Sequence, residues 1–314
     1  MPSNHMAGSP WAMRLAGALG LALGTTMLAA GGAFAAEAAK VQIDGSARAF
    51  PESMTATADG TLYAGSTADG IVYKAAPGAA KAEAWSPKQD GPQTMLGVLA
   101  DEKNKSLWAC YSGKDQTLVR SFDLETVAVK GSYDFPGGGL CNDIAVGPDN
   151  TVYVSDTRGN RILRLKPGAT ALDEWLKDDD KLKGIDGLSF SADGKLYVNS
   201  VTQGTLARVD MTASGDPSGI VAISTSQPLQ GPDGMRFGAD GKLYIAENRG
   251  GQIDQATVNG DSADIKVLQG GFMNPTAVSK VGNTLWILEA KQKLQKSDED
   301  PGGFFMIPID LGAH

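Results

Sequence analysis

The chain holds two histidines, His5 and His314, and both stand at its ends. Ser-His-Asp catalysis, a histidine general base and histidine-containing zinc sites therefore lack their central group. Cys110 and Cys141 are the only cysteines, too few for a four-cysteine cage. What remains is the chemistry of carboxylates, amides, hydroxyls, lysines or a hard, oxygen-loving metal. Four oxygen-bearing residues share one spacing: Glu52, Asn142, Asp186 and Asp233 stand eleven residues before Tyr63, Tyr153, Tyr197 and Tyr244. Three carboxylates and an amide brought to one place repel one another, and at least one acid would have to keep its proton. A calcium ion removes that conflict, because it takes about six to eight oxygens and would still leave positions for water or substrate.

The elements that must bring these residues together are legible in a repeat. An aromatic after a short hydrophobic lead recurs at Tyr63, Trp108, Tyr153, Tyr197, Tyr244 and Trp286, at intervals of 45, 45, 44, 47 and 42 residues. Four copies read "TATADGTLYAGS", "IAVGPDNTVYVSDT", "LSFSADGKLYVNS" and "MRFGADGKLYIAEN", each a strand, an Asp-Gly or Asp-Asn turn and a second strand. A third strand follows in "NRILRLKPG" and "GTLARVD", and a less regular fourth after it. Four antiparallel strands per copy in six copies predict an all-β chain, a six-bladed β-propeller. Val41 to Phe50 precedes the first copy and is expected to close the last blade. Equivalent positions in such a ring point equivalently, so Glu52, Asn142, Asp186 and Asp233 should converge at one mouth of the central channel. In the second and sixth copies the same register falls near Leu96-Gly97 and Asn274-Pro275, so the oxygen set is not a general feature of blade construction. Asp59, Asp149, Asp193 and Asp240 occupy the hairpin turns and receive no chemistry.

With 42% hydrophobic residues and 40 glycines among 314, the chain can bury a core made of many short elements. Its net charge of −8 and lack of a Lys/Arg block argue against a nucleic-acid partner. Arg14, the apolar run Leu15–Ala30 and the small-x-small triplet Ala33-Phe34-Ala35 predict a secretory signal over residues 1–35. The remaining single domain, residues 36–314, is expected in the periplasm or outside the cell. It should have no membrane partner after signal removal, bind a small-molecule substrate and act as a monomer.

These residues resemble the regucalcin/gluconolactonase family, calcium-dependent six-bladed propellers that are similar to paraoxonases and diisopropyl fluorophosphatase. In that family a Glu opens the first blade, an Asn-Asp pair the third, an Asn-Gly pair the fourth and a Pro-Asp-Gly triplet the fifth. The matching words here are Pro51-Glu52-Ser53, Asn142-Asp143, Asp186-Gly187 and Pro232-Asp233-Gly234. The resemblance implies that Glu52, Asp186 and Asp233 bind one Ca²⁺, with Asn142 either a ligand or a contact to bound substrate. It also implies lactone hydrolysis in which the metal polarises the carbonyl and Asp233 accepts the proton of the attacking water. Asp186 departs from the family's Asn and takes the site with calcium from about zero charge to about −1. The alternatives are a non-catalytic propeller that binds a ligand or protein, and a phosphotriester hydrolase on the same site.

Specificity would come from loops on the metal-bearing face. "DFPGGGLCND" could admit a bulky group and "GGFMNPTAV" offers Phe272 and Met273 as an apolar wall, the alternative for both being packing plugs; Arg158 and Arg249 recur in one turn, where they could steer an anionic substrate or stand as solvated turn residues. The charged stretch Lys291 to Asp300 is long enough for a partial lid. Cys110 and Cys141 should lie near the same rim on adjacent blades. Export would let them form a disulfide beside Asn142, the alternative being two buried thiols.

Overall fold

Short alternating strands joined by tight Asp-Gly turns pair with their sequence neighbours, and each hairpin grows into an antiparallel meander. The computed structural model describes residues 39–312, so the leader reading over residues 1–35 lies outside the described residues. Strand β1 (Val41–Ile43) comes first. The first meander is β2 (Pro51–Ala56), β3 (Leu62–Ser66), β4 (Val72–Ala75) and β5 (Lys81–Ala84). The second is β6 (Thr94–Asp101), β7 (Ser106–Ser112), β8 (Thr117–Asp123) and β9 (Val129–Asp134). The third is β10 (Cys141–Val146), β11 (Val152–Asp156), β12 (Arg161–Leu165) and β13 (Asp173–Lys177). The fourth is β14 (Ile185–Phe190), β15 (Leu196–Ser200), β16 (Thr205–Met211) and β17 (Pro217–Thr225). The fifth is β18 (Pro232–Phe237), β19 (Leu243–Glu247), β20 (Gln252–Asn259) and β21 (Ser262–Gly270). The last has three strands, β22 (Pro275–Val281), β23 (Thr284–Glu289) and β24 (Phe305–Asp310), with a 3₁₀ turn at Gln292–Leu294 between the second and third. Its fourth place is taken by β1, which pairs antiparallel with β24. No helix among the described residues is long and apolar enough to cross a membrane.

The sheets differ from six separate units of four. There are two eight-stranded and two four-stranded sheets, because outer strands of different meanders meet and pair in parallel. β1 adds to β5 through Gln42–Lys81 and Ile43–Ala82, and β17 adds to β21 through Ser224–Ser262 and Thr225–Ala263. An outer strand carries unpaired N–H and C=O groups, and these short ladders satisfy some of them.

The core is distributed between meanders. Each of six apolar clusters joins one meander to the next; five contain the recurring aromatic of the first partner, and in the sixth that aromatic packs against the cluster. Tyr63 packs with Met95 and Val98, Trp108 with Ile144 and Val154, Tyr153 with Leu188 and Val198. Tyr197 packs with Met235 and Ile245, Tyr244 with Val278 and Ile287, and Trp286 lies against the cluster of Met54 and Leu62. The period in the sequence is therefore a packing period: one large ring fills the same wedge in each copy. Inner strands touch in the cycle β2, β6, β10, β14, β18, β22 and back to β2. Turn aspartates act as the repeat requires. Asp59 Oδ1 accepts the Thr61 N–H at 2.9 Å, and Asp149 Oδ1 accepts the Thr151 N–H at 3.0 Å. Cys110 on β7 and Cys141 at the start of β10 are disulfide-bonded, with Cα atoms 5.2 Å apart.

Candidate metal and catalytic site

Each inner strand begins with an irregularity. The ladder of β2 on β3 slips between Pro51 and Ser53, that of β10 on β11 between Cys141 and Ile144, that of β14 on β15 between Ile185 and Leu188, and that of β18 on β19 between Pro232 and Met235. An extra residue in a bulge leaves the ladder and re-aims its side chain. Glu52, Asn142, Asp186 and Asp233 all lie in these bulges, are buried, and line one cavity.

Within it, the Asn142 amide donates to Asp186 Oδ2 at 2.8 Å and to Thr157 Oγ1 at 2.9 Å, while the Thr157 hydroxyl donates to the Ile185 carbonyl at 2.6 Å. Asp233 is fixed on both oxygens: Oδ1 accepts the Gly234 N–H at 3.0 Å and Oδ2 accepts the Asn248 amide at 3.0 Å. Burial lifts all three carboxyls well above the usual range. The charge of Asp186 and then of Asp143 adds to the effect on Glu52, Asp233 and then Asp143 to that on Asp186, and Glu52 to that on Asp233.

Below the bulges lies a cation that sequence reasoning did not single out. Arg236 reaches Asp143 through two bonds of 2.7 Å, Nη1 to Oδ2 and Nη2 to Oδ1, and Nη1 also donates to the carbonyls of Leu188 and Met235. Asp143 in turn accepts the N–H groups of Ile144 at 2.8 Å and Leu188 at 2.9 Å. Burial alone would lower the Arg236 pKa, but the bound Asp143 outweighs it and the net direction is up. Arg236 also favours the ionised form of Glu52. A signal for it exists: eight residues before the aromatic the other copies carry Thr55, Ala100, Ala145, Ser189 and Val278, so Arg236 is the single charge in that column.

Other expected residues lie elsewhere. Phe272 packs against the cluster containing Tyr244 and Ile287, Met273 is exposed, and neither lines the cavity. Arg158 belongs to a separate groove with Lys114 and the glycine-rich loop Gly137–Gly139, and Arg249 is exposed beside Gly231. Asp156, the last residue of β11 and close to Arg158 in the chain, is buried and paired with Arg161 at 2.8 Å, a structural contact. The Lys291–Asp300 stretch is strapped down by Arg48, which donates to the carbonyls of Leu294, Gln295, Ser297 and Glu299. It reaches the site through Gln292, whose Oε1 accepts the Asn248 amide at 3.2 Å.

The donors suit a hard divalent cation: three buried carboxyls and an amide, whose one basic neighbour in the cavity lining, Arg236, is already paired with Asp143. Among the described residues no three His, Cys, Asp or Glu side chains are already arranged as a finished metal centre.

Residues 50–290 match the family described as SMP-30/Gluconolactonase/LRE-like region. The chain belongs to that family. No curated protein matches it at a significant level. Among solved structures, it is similar to a calcium-binding protein, regucalcin, from Agrobacterium tumefaciens, at 16% identity over 87% of this chain and 94% of that one, with a TM-score of 0.63. A gluconolactonase from Xanthomonas campestris is 16% identical over 82% and 85% of the two chains, with a TM-score of 0.60. Virginiamycin B lyase from Staphylococcus aureus is 17% identical over 79% and 80%, again with a TM-score of 0.60. At these identities the likeness is one of fold, that of the β-propellers.

Proposed function

We propose that this member of the family is an exported, calcium-dependent hydrolase of small lactones, built as a six-bladed propeller. The observation that carries the reading is the convergence of Glu52, Asn142, Asp186 and Asp233 from four bulges into one buried cavity. Six meanders, six shared apolar clusters and a closed cycle of inner strands support the blade count. The disulfide supports export, because such bonds persist in oxidising compartments.

Bound Ca²⁺ would supply the Lewis acidity that polarises a carbonyl oxygen. Glu52, Asp186 and Asp233 would hold the ion, leaving a local charge of about −1, which the mutually neutralised Asp143 and Arg236 do not alter. Asn142, oriented by Thr157 and Asp186, presents its carboxamide oxygen to ion or substrate. As water adds to the lactone carbonyl carbon, Asp233 takes its proton. When the ring C–O bond breaks, that proton passes to the departing oxygen and a hydroxy acid results. Asn248 and Gly234 hold the Asp233 carboxylate in place to accept the proton. Met273, Arg158 and Arg249 would act only on parts of a substrate that extend beyond the cavity.

The deciding assay is turnover of a panel of aliphatic and sugar lactones by calcium-loaded protein, with and without chelator. Hydrolysis that chelator abolishes and calcium restores is the expected result. Activity indifferent to chelator refutes the calcium role, and a panel untouched by calcium-loaded protein refutes the lactonase reading.

A further inference from the structure

We propose that Thr276, on β22, is a fifth oxygen of the same cation site, a role that rests on the calcium reading above. Three independent observations place it there. The first is register. In four meanders the site residue stands three positions before the cross-strand partner of the recurring aromatic: Glu52 before Thr55, Asn142 before Ala145, Asp186 before Ser189 and Asp233 before Arg236. On β22 the partner of Trp286 is Ser279, and three positions before it is Thr276. The ladder slips there too, between Pro275 and Ala277, so Thr276 is a bulge residue following a proline, as Glu52 and Asp233 are.

The second observation is steric. Gly97, Gly187 and Gly234 each follow a bulge position, and in each a Cβ would run into the carbonyl oxygen of the next strand's site residue: Asn142, Asp233 and Thr276 respectively. Thr276 thus stands to β18 as Asn142 stands to β6 and Asp233 to β14. The third is chemical. Thr276 lines the cavity with the three acids and the amide, is 1% exposed, and its Oγ1 has no hydrogen-bond partner. A buried hydroxyl is ordinarily satisfied, and an orphan one facing a cavity of oxygen donors is what a ligand without its ion looks like. Its strand contacts those of Asp233 and Glu52, so it would fill the gap between two carboxylates with a neutral oxygen, adding a ligand and no charge. In the second meander the same position is Leu96, so the ring has five oxygens and one apolar member.

The test uses the full mature chain with Thr276→Val, which keeps the shape and removes the hydroxyl, and Thr276→Ser, which keeps the oxygen. Calcium binding is followed by titration calorimetry, and the waters on a substituted Tb³⁺ ion are counted from its luminescence decay in H₂O and D₂O. Expected for Thr276→Val is an affinity loss of roughly tenfold with one additional water on the ion, a smaller rise in melting temperature on adding calcium, and a melting temperature in EDTA at or above that of the wild type. Thr276→Ser should restore both affinity and water count. Unchanged affinity and water count in Thr276→Val overturn the proposal, as does a variant that is destabilised in EDTA yet gains the full calcium-dependent stabilisation. Wild-type protein that binds neither ion overturns the calcium reading itself, and this role with it.

Discussion

Replacing Arg236 by methionine isolates the electrostatics beneath the cavity. The guanidinium makes two 2.7 Å bonds to Asp143 and further bonds of 3.0 and 2.7 Å to the Leu188 and Met235 carbonyls. Without it, Asp143 stays buried with only the Ile144 and Leu188 N–H groups to hold its charge. Removing one partner of a buried pair costs about 3–5 kcal/mol. The two retained amide bonds compensate part of that, so the loss should fall at the lower end, about 3 kcal/mol. Denaturant unfolding in EDTA at neutral pH measures it. The Asp143→Asn variant leaves the cation unpaired and should be comparably destabilised. The double variant should be less destabilised than the two single losses added together, by at least about 1.5 kcal/mol, because each single variant leaves a buried charge that the double does not. A loss under about 1 kcal/mol for Arg236→Met, or strict additivity in the double variant, would refute the idea that this pair is a coupled, desolvated unit.

Three further outcomes are expected. Glu52, Asp186 and Asp233 hold protons more tightly folded than unfolded, so in EDTA the stability they contribute should be fully present at acid pH and be lost as pH rises above the usual carboxylate range; calcium should flatten this dependence, and a melting temperature against pH that is the same with and without calcium would contradict it. Glu247, pushed up to about 8 by burial beside Asp254, is not in the cavity lining and should titrate in both series. Reducing Cys110–Cys141, which are 31 residues apart, should lower unfolding free energy by roughly 3–4 kcal/mol on the chain-entropy estimate; an unchanged denaturation midpoint would show the bridge to be inconsequential. Asp233→Asn should lose lactone turnover more completely than calcium affinity, and equal losses would make it a ligand alone.

Much of the architecture was readable because it repeats. A single aromatic per copy, needed to fill one wedge between neighbouring meanders, imprints a period of about 45 residues that any reader of the chain can count. Asp-Gly turns mark the hairpins for a local reason, the backbone conformation they favour, so element types and order follow from short windows. Glu52, Asn142, Asp186 and Asp233 were legible because they stand at one offset from that aromatic.

Where hairpin length varies, counting along the chain fails. The turn from β22 to β23 is shorter, so Trp286 pairs seven residues back instead of eight, and the fixed offset lands on Pro275 instead of Thr276. Only the ladder reveals the true equivalence. The Asp143–Arg236 pair was hidden for a different reason: its members are 93 residues apart and meet only when the inner strands close their cycle. The outer-strand pairings β1–β5 and β17–β21, two residues long each, likewise have no local signature. Sequence alone determined the repeating elements and the residues at one register, because those depend on neighbours along the chain. Tertiary structure decided which side chains share a buried charge balance, because that depends on distances no local pattern encodes.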